Sequence, residues 1–393
     1  MKKRLILLGG GHAHLSVLAK FADHPNLGFE VILVTERAFQ HYSGMLPGWM
    51  AGHYSKPQAQ IDLRPLAAAA RVQLVLGQAI GINADERRLV LADQSQLEYD
   101  LLSIDVGSEI DAAWLEMVGA RLLPVKPLEA FFSSWPKVLQ EAGSKADYSL
   151  AVVGGGAAGV ELAMAAQFAF MQHAPRAEVH LVTSESGILN GHAASVKKRA
   201  MKTLIKAGVT VHRHKAVGTP EGLLLSDGTA LAVDKVIAAT GARAPVWLTL
   251  SKLALDASGY ITVDDTHRSI SHREVFAVGD VCARQDVKMA RSGVHAVRAG
   301  PVLAQNLLAA MQGCDLKPYR PRRHSLYLLA CGTRYAIASW GRFSAEGAWV
   351  WRWKDWIDRG FIRRFSPHQR SALKNTNQGM AQPWCTAPNR MIK

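Results

Sequence analysis

Two glycine-rich turns contain the residues best suited to chemistry. Gly9-Gly10-Gly11-His12-Ala13-His14 follows the apolar segment Arg4–Leu8, and Gly154-Gly155-Gly156-Ala157-Ala158-Gly159 follows Ser149–Val153. In a strand-to-helix turn the first glycine permits the tight turn, and the second lets the backbone approach a pyrophosphate. The N-terminus of the following helix offers unpaired N–H groups to the phosphates. Each turn is therefore predicted to bind a dinucleotide.

The residue after the next strand differs between the two turns. Glu36 follows the predicted strand 30–34, where an acid can hold the ribose hydroxyls of an adenosine. In the second copy Ser184 stands at that position and Glu185 comes one residue later. No Arg or Lys directly follows this strand to hold a 2′-phosphate. NADH is therefore favoured at the second turn, with Glu185 as the candidate ribose ligand.

The third position of the motif also differs. Gly159 completes the second turn, whereas His14 replaces the corresponding glycine in the first. Because this glycine allows close packing of helix on strand, His14 predicts a displaced helix or a ring turned toward the ligand. For His12 and His14, polar packing at the turn and direct contact with a cofactor both stay open.

The order of elements around the turns is repeated. Each turn leads into a helix-like segment, a strand, a β-hairpin pattern and a strand ending near glycine, at residues 101–107 and 236–241. An internal repeat of this kind is much stronger support than a single glycine motif. The sequence predicts an α/β fold with two Rossmann-like domains, the second inserted in the first, and a small α+β C-terminal domain.

A third motif indicates which half of the chain binds a flavin. Val275-Phe276-Ala277-Val278-Gly279-Asp280 is a short apolar strand whose final aspartate can bond the ribityl or phosphate groups of a flavin. A predicted helix begins at Gly293 and Val294, and its N-terminus could stabilise the reduced flavin ring. FAD is therefore predicted for the first half and NAD(H) for the second. The candidate FAD residues are Gly9, Gly11, His12, Glu36, Gly279, Asp280, Gly293 and Val294, and the candidate NAD residues are Gly154, Gly156, Gly159, Glu185 and Gly241.

The two turns, Ala239-Thr240-Gly241 and Val278-Gly279-Asp280 together resemble the pyridine nucleotide-disulfide oxidoreductase superfamily. The sequence lacks the C-x-x-x-x-C redox pair of the disulfide reductases. Within the superfamily it therefore looks more similar to type II NADH:quinone dehydrogenases and sulfide:quinone reductases than to the disulfide reductases. Residues 9–14, 42–52 and 102–108 most resemble the flavoprotein module fused to selenide, water dikinase.

The resemblance implies an FAD-dependent oxidoreductase that passes electrons from NAD(P)H through FAD to a quinone-like acceptor. It also implies that residues 42–47 lie beside the flavin, with Pro47 shaping the hydride pocket, and that Glu161 lies near the nicotinamide or its proton path. A role for Glu161 in stabilising a helix dipole stays open. The alternatives are a sulfide or selenium-species oxidoreductase linked to selenium metabolism and a non-catalytic flavin-binding protein at a membrane surface.

Residues 349–365 contain a tryptophan-rich amphipathic pattern. Val350, Trp353, Ile357 and Phe361 fall at helical spacing, with arginines on the other faces. This pattern favours a helix in the membrane interface over one packed on the protein's own core or on a dimer partner. A second feature of the C-terminal region is Cys331. It lies roughly where sulfide:quinone reductases have one of their flavin-side cysteines. It has no second thiol near the second turn, so a buried structural role is favoured.

Charge and hydropathy limit the classes of partner that the protein is expected to bind. The 46 Lys and Arg against 32 Asp and Glu give a net charge of +14, which favours anionic partners. No nucleic-acid-binding fold is recognised, so nucleic acid is not expected, and no metal-ligand spacing is present. No apolar run approaches the roughly 20 residues that span a bilayer. The protein is therefore expected in the cytoplasm, with peripheral contact at the inner face of the cell membrane and homodimer formation left open.

The motifs also place the domain boundaries. An FAD-binding domain is predicted from residues 1–110 and 243–318, and an NAD(P)-binding domain from residues 111–242. The C-terminal domain with its amphipathic helix covers residues 319–365, and a flexible tail covers residues 366–393.

Overall fold

The computed structural model describes residues 2–366, apart from residues 25, 290 and 292. The predicted flexible tail lies outside the described residues from residue 367 onward. The described α-helices are α1 (His12–Ala22), α2 (Leu46–Met50), α3 (Leu63–Ala69), α4 (Leu128–Ser144), α5 (Ala157–His173), α6 (Ala194–Ala207), α7 (Gly293–Gln312) and α8 (Ala348–Arg364).

The strands are short and belong to several sheets. In chain order they are β1 (Arg4–Leu8), β2 (Glu30–Thr35), β3 (Phe39–His41), β4 (Gln60–Asp62), β5 (Gln73–Leu76), β6 (Ala79–Asn83), β7 (Arg88–Leu91), β8 (Gln96–Glu98), β9 (Leu101–Ile104), β10 (Glu109–Ile110), β11 (Leu122–Pro124), β12 (Ser149–Val153), β13 (Glu178–Val182), β14 (Thr210–His212), β15 (Ala216–Thr219), β16 (Gly222–Leu225), β17 (Ala230–Ala232), β18 (Lys235–Ala238), β19 (Ala242–Arg243), β20 (Ile261–Val263), β21 (Val275–Ala277), β22 (Cys282–Arg284), β23 (Leu326–Ala330), β24 (Ala336–Trp340) and β25 (Phe343–Gly347).

The first half is built on a parallel sheet with strand order β21-β9-β1-β2-β5. Side chains of β1 alternate between two cores because successive residues point to opposite faces of a strand. Leu5 and Leu7 pack in the core of α1 and α7, and Ile6 and Leu8 pack in the core of the three-stranded sheet β6-β7-β8. Both faces of the sheet are therefore covered, which accounts for the continuous apolar sequence of β1.

The second half repeats this arrangement. Its parallel sheet has the order β11-β18-β12-β13-β14, and a three-stranded sheet, β15-β16-β17, again stands before the fourth strand of the repeat. The first glycine turn follows β1 and the second follows β12, the central strands of the two sheets. The fifth strands differ in origin, since β21 follows the second half in the chain and β11 precedes it. The predicted α/β class with two Rossmann-like cores is confirmed.

The C-terminal segment forms the antiparallel sheet β23-β24-β25 with helix α8. The predicted helix is present, but the residues of its predicted apolar face differ in burial. Val350 is fully buried and Trp353 is 39% exposed, and the buried stripe of α8 continues through Lys354 and Asp358. The two charged residues are tolerated because they neutralise each other as an i,i+4 ion pair. Within the described part of the chain, none of the helices has the length and hydropathy needed to cross a bilayer.

Candidate active site

The first glycine turn closes around Asp105, which follows β9. Gly9 has φ of +94°, and a Cβ atom on it would lie 2.5 Å from the Asp105 carbonyl oxygen. A Cβ on Gly11 would also collide with Asp105. The Asp105 carboxylate accepts N–H bonds from Ala13 at 2.8 Å and His14 at 3.1 Å. Burial raises the pKa of Asp105 to about 6, against the effect of these N–H donors. Asp105 therefore fixes the turn to the start of α1.

His14 replaces the third glycine with a hydrogen-bonded ring. Its Nδ1 lies 2.6 Å from the Gly9 carbonyl oxygen, and its Nε2 lies 2.8 Å from Ser103 Oγ. Burial lowers the pKa of His14 to about 4, so the ring is neutral at pH 7. Because a carbonyl only accepts, Nδ1 donates to Gly9 and Nε2 accepts from the Ser103 hydroxyl. Of the two interpretations left open for His14, polar packing at the turn is the one that the geometry supports.

His12 lies where the starts of α1 and α7 meet. Its ring centroid is 5.6 Å from that of Tyr42 and 5.7 Å from that of Phe361. A Cβ on Gly293, the first residue of α7, would lie 3.9 Å from the His12 ring. Val294, the next residue of α7, is half-buried. His12 Nε2 is buried without a hydrogen-bond partner among the described residues. His12 thus retains a polar atom that a ligand could satisfy.

The Gly279-Asp280 motif lies against the same turn. A Cβ on Gly279, which has φ of +76°, would lie 2.9 Å from Asp105 Oδ1. Lys126, two residues beyond β11, places Nζ 3.0 Å from Ser108 Oγ and 3.3 Å from Asp280 Oδ2. The structure therefore brings the first glycine turn and the Gly-Asp motif together and adds a cation to them.

The first glycine turn and the residues around it have the space and the polar atoms that a bound FAD needs. Glu36 and Leu76 line a cavity of about 480 Å³ beyond the end of β2, where an adenosine would follow the turn. Buried polar atoms normally carry hydrogen bonds. Three that lack a partner in the described part of the chain, His12 Nε2, His295 Nδ1 and Arg298 Nη1, lie at the start of α1 or on α7. Such atoms are available to the polar groups of a bound flavin dinucleotide.

In the second glycine turn two of the three motif glycines are closely packed. Gly154 has φ of +135°, and a Cβ on it would collide with the Ala239 carbonyl oxygen. A Cβ on Gly159 would collide with the carbonyl oxygen of Gly154, whereas one on Gly156 would meet only open space. Gly154 and Gly159 thus serve packing, and Gly156 leaves room for a pyrophosphate. Glu185, the candidate ribose ligand, is exposed beyond the end of β13.

A central cavity of about 470 Å³ lies between the two halves. Pro47 and Asp280 line it from the first half, and Glu161 and Gly241 line it from the second. Lys126 completes its polar wall. Residues that the sequence assigned to two different cofactors therefore share one cavity, which is the arrangement that transfer between two bound cofactors requires.

Glu161 lies in α5 at the edge of this cavity. Its Oε1 accepts the N–H of Ala330 at 2.7 Å, so it is tied to β23 rather than only to its own helix. Burial raises its pKa to about 7, while nearby Lys354 opposes the shift and Asp358 reinforces it. Glu161 can therefore gain or lose a proton near neutral pH, as a group on a proton path must.

Helix α8 brings a buried ion pair next to Glu161. Lys354 Nζ donates to Asp358 Oδ2 at 2.7 Å and to the Gly44 carbonyl at 2.6 Å. The Tyr42 hydroxyl donates to Asp358 Oδ1 at 3.2 Å. Burial raises the pKa of Asp358 and Lys354 opposes this. The pair ties the C-terminal helix to the segment 42–47 that the resemblance places beside the flavin.

Cys331 is buried in the same region. Its Sγ lies 3.6 Å from the Leu329 carbonyl, and burial next to Glu161 raises the pKa of the thiol. Cys282 is free and buried too, but it packs in a different core cluster. These features agree with a structural role, because a reactive thiol needs a lowered pKa and exposure.

Sequence reasoning missed Asp105, Lys126, Lys354 and Asp358. Asp105 was visible as the polar residue ending the strand before Gly107, at the carboxyl edge of the sheet. Lys354 and Asp358 could have been found as an i,i+4 pair within an otherwise aromatic stripe. Lys126 carried no signal of its own. No group of three or more His, Cys, Asp or Glu side chains in the described residues could hold a metal ion.

Comparisons with known proteins agree with this geometry. A family model described as pyridine nucleotide-disulphide oxidoreductase matches residues 3–306. Ferroptosis suppressor protein 1 of Xenopus tropicalis is 25% identical over 384 residues, which cover 91% of this chain and 96% of that protein.

Two solved structures share the fold. The sulfide:quinone oxidoreductase of Aquifex aeolicus has a TM-score of 0.77 at 14% identity and covers 96% of each chain. NDH2 of Plasmodium falciparum, in complex with NADH, has a TM-score of 0.76 at 14% identity and covers 92% of this chain and 98% of that one. The predictions of an FAD-dependent oxidoreductase and of a nicotinamide dinucleotide as its second cofactor are confirmed.

Proposed function

The chain belongs to the pyridine nucleotide-disulphide oxidoreductase family, and we propose that it passes electrons from a nicotinamide dinucleotide through FAD to a quinone-like acceptor. The central cavity carries this proposal, since Pro47 and Asp280 enter it from one half and Glu161 and Gly241 from the other. Hydride transfer needs donor and acceptor atoms within roughly 3–3.5 Å. A cavity shared by both halves provides that approach.

The residues are proposed to divide between binding and proton transfer. The chemistry that FAD would supply when bound is the uptake and release of two electrons. The FAD is held by Gly9, Gly11, His12, Glu36, Gly279, Asp280, Gly293 and Val294, and the nicotinamide dinucleotide by Gly154, Gly156, Gly159 and Gly241, with Glu185 nearby. Pro47, which lines the central cavity, is proposed to shape the space beside the flavin.

Glu161 is proposed to supply a proton to the reduced acceptor. In the overall reaction NAD(P)H gives a hydride, and the quinone takes up two electrons, that hydride's proton equivalent and one further proton from solution. With a pKa of about 7, Glu161 can release such a proton and regain it from solvent. Lys354 beside it favours the carboxylate that remains.

Aromatic side chains support a flat acceptor next to α8. The rings of Tyr42 and Phe361 are stacked with centroids 4.4 Å apart, and His12 lies 5.6 Å from Tyr42. Stacked aromatic faces favour a planar ligand such as a quinone ring. Because the stacked pair fills the space between α8 and the segment 42–47, the acceptor is proposed to lie against the outer edge of this pair.

Initial rates with NADH or NADPH and a soluble quinone test the proposal. We expect parallel double-reciprocal plots, because the oxidised nucleotide leaves before the quinone reacts. Phe361→Ala is expected to raise the KM for quinone, whereas Trp353→Ala, at an exposed site on the same helix, leaves it unchanged. A flavin-containing protein that reduces no quinone with either nucleotide would contradict the proposal.

Peripheral membrane contact is proposed through α8 and the adjoining hairpin. Large apolar side chains are exposed there, including Phe343 at 77% and Trp356 at 67%. Exposed arginines surround them at positions 342, 352, 363 and 364. Tryptophan with arginine is typical of interfacial helices, and each basic residue adds about 1 kcal/mol on an anionic surface.

Flotation with phosphatidylserine-containing vesicles tests this contact. The wild type is expected to float, and a variant with Trp349, Trp353 and Trp356 all changed to Gln is expected to stay at the bottom. Trp114→Gln is the matched control, because Trp114 is exposed outside α8. Flotation of the triple variant with wild-type efficiency would exclude α8 as the contact.

Oxidation of sulfide or a selenium species remains a second candidate. The neighbour named sulfide:quinone oxidoreductase favours it at the level of the fold. A thiol-based version is disfavoured, because Cys331 has no second cysteine in its core cluster among the described residues. The selenium link, the non-catalytic alternative, the cytoplasmic location and the homodimer stay predictions. Flavin bleaching by sulfide or selenide, but not by NADH or NADPH, would favour this candidate over the proposal.

A further inference from the structure

The end of β13 lacks the acid that Glu36 provides after β2. Leu181-Val182-Thr183-Ser184 corresponds to Leu33-Val34-Thr35-Glu36, and β13 and β2 hold the same place in their sheets. An acid at this position holds the ribose hydroxyls of an adenosine and repels a 2′-phosphate. With Ser184 in its place, the second site has no such repulsion at this position.

The neighbouring strand brings a cation to the same point. In the first sheet the strand beside β2 ends at Leu76, which lines the cavity with Glu36. In the second sheet β14 ends at His212, in register with Val182, so Arg213 is the residue that takes the place of Leu76. The neutral side chain beside the adenosine end of the first site is thus replaced by a guanidinium in the second.

Arg213 is held over the loop that follows β13. Its Nη2 donates to the Glu185 carbonyl at 2.9 Å, and a Cβ on Gly187 would lie 3.5 Å from its Nε. Arg213 forms no ion pair with any carboxylate in the described part of the chain, so its other N–H groups can serve a ligand. Ser184 Oγ and Ser186 Oγ lie 2.7 Å apart on the same loop. A guanidinium with two hydroxyl groups is a donor set suited to phosphate.

A second basic residue supports this loop from α6. Asn190 Nδ2 donates to Ser186 Oγ at 2.7 Å, and Lys197 Nζ donates to Asn190 Oδ1 at 3.3 Å. Ser186 is therefore oriented by a hydrogen-bonded chain that ends in a positive charge. The exposed Glu185 carboxylate is the only acid between Ser184 and Lys197 in the sequence.

We infer that the second dinucleotide site selects NADPH over NADH, with Arg213, Ser184 and Ser186 holding the 2′-phosphate of the adenosine ribose. The inference rests on the proposed function, which places a nicotinamide dinucleotide at this site. It reverses the preference for NADH drawn from the sequence, because Arg213 comes from the neighbouring strand and not from the residues that follow β13.

Calorimetric titration of the purified flavoprotein with 2′,5′-ADP and with 5′-AMP, which differ only in the 2′-phosphate, tests the inference without hydride transfer. We expect 2′,5′-ADP to bind about tenfold more tightly or better, as a charge-assisted phosphate contact allows. Arg213→Ala should abolish this preference and leave the affinity for 5′-AMP unchanged. Lys215→Ala removes the same charge two residues away, at an exposed site, and should keep the preference. Ser184→Asp should reverse the preference toward the nucleotide without the 2′-phosphate.

The outcomes separate this inference from the proposed function. Equal affinity of the wild type for the two nucleotides, or an equal loss in Lys215→Ala and Arg213→Ala, would overturn the inference. Flavin reduction by NADH without selective binding of 2′,5′-ADP overturns the inference alone. Selective binding of 2′,5′-ADP without flavin reduction by either nicotinamide supports the phosphate site and overturns the proposed function. Retained flavin absorbance in each variant shows that it is folded.

Discussion

Lys354→Met tests the buried side of α8, where sequence and structure differ most. The side chains of Lys354 and Asp358 are only 10% and 5% exposed, and their ion pair is 2.7 Å long. The substitution removes the bonds of Lys354 to Asp358 and to the Gly44 carbonyl. It leaves a buried carboxylate whose remaining side-chain partner is the Tyr42 hydroxyl. Removing one partner of a buried pair costs about 3–5 kcal/mol.

The assay is unfolding of the flavoprotein in urea, followed by near-UV circular dichroism and by release of flavin. Lys354→Met is expected to lower the free energy of unfolding by about 3–5 kcal/mol. The control Arg352→Met removes a cation from an exposed position of the same helix and should change it by less than about 0.5 kcal/mol. The double variant Lys354→Met/Asp358→Leu should recover part of the loss, because no charge is left unpaired. Equal effects of Lys354→Met and Arg352→Met would refute the packing of α8 described above.

Three further predictions concern the site itself. Because burial raises the pKa of Glu161 to about 7, its acid form is lost as the pH rises through 7, so reoxidation of reduced flavin by a soluble quinone should slow above that pH. Glu161→Gln should be slow and independent of pH in stopped-flow measurements, and an unchanged pH profile would remove Glu161 from the proton path. Gly156→Ala should keep FAD but raise the KM for the nicotinamide nucleotide, since its Cβ would occupy the open space beside the turn. Gly11→Ala should lose FAD, because its Cβ would collide with Asp105. Flavin content and initial rates measure both effects, and the opposite result for the two variants would exchange the roles of the two turns. Cys331→Ser should retain turnover with quinone, and loss of activity with FAD still bound would make the thiol a participant.

The sequence predicted the repeated architecture well, because its signals are local. A glycine turn after an apolar strand needs only neighbouring residues to be recognised, and both turns begin helices as expected. Contacts made across the fold were not accessible in this way. Asp105 lies far along the chain from Gly9, although their backbones touch, and Arg213 reaches the end of β13 only because two parallel strands end together.

The tryptophan helix shows a second limit. Helical spacing correctly indicated a helix over residues 349–365, but spacing ranks faces by hydropathy alone. The face of α8 that packs inward includes Lys354 and Asp358, because Tyr42 and Gly44 satisfy them. A pattern of apolar residues cannot reveal such partners. Trp349, Trp353 and Trp356 are exposed on the surface of α8.

In the proposed function, two halves of one chain hold FAD and a nicotinamide dinucleotide at one shared cavity, with a quinone-like acceptor beside them. Anaerobic addition of NADPH and of NADH to the purified flavoprotein, followed by a soluble quinone, measures this directly through flavin absorbance. We expect the flavin to bleach on addition of the nucleotide and to recover its colour with quinone. Protein that stays yellow under an excess of both nucleotides would contradict it.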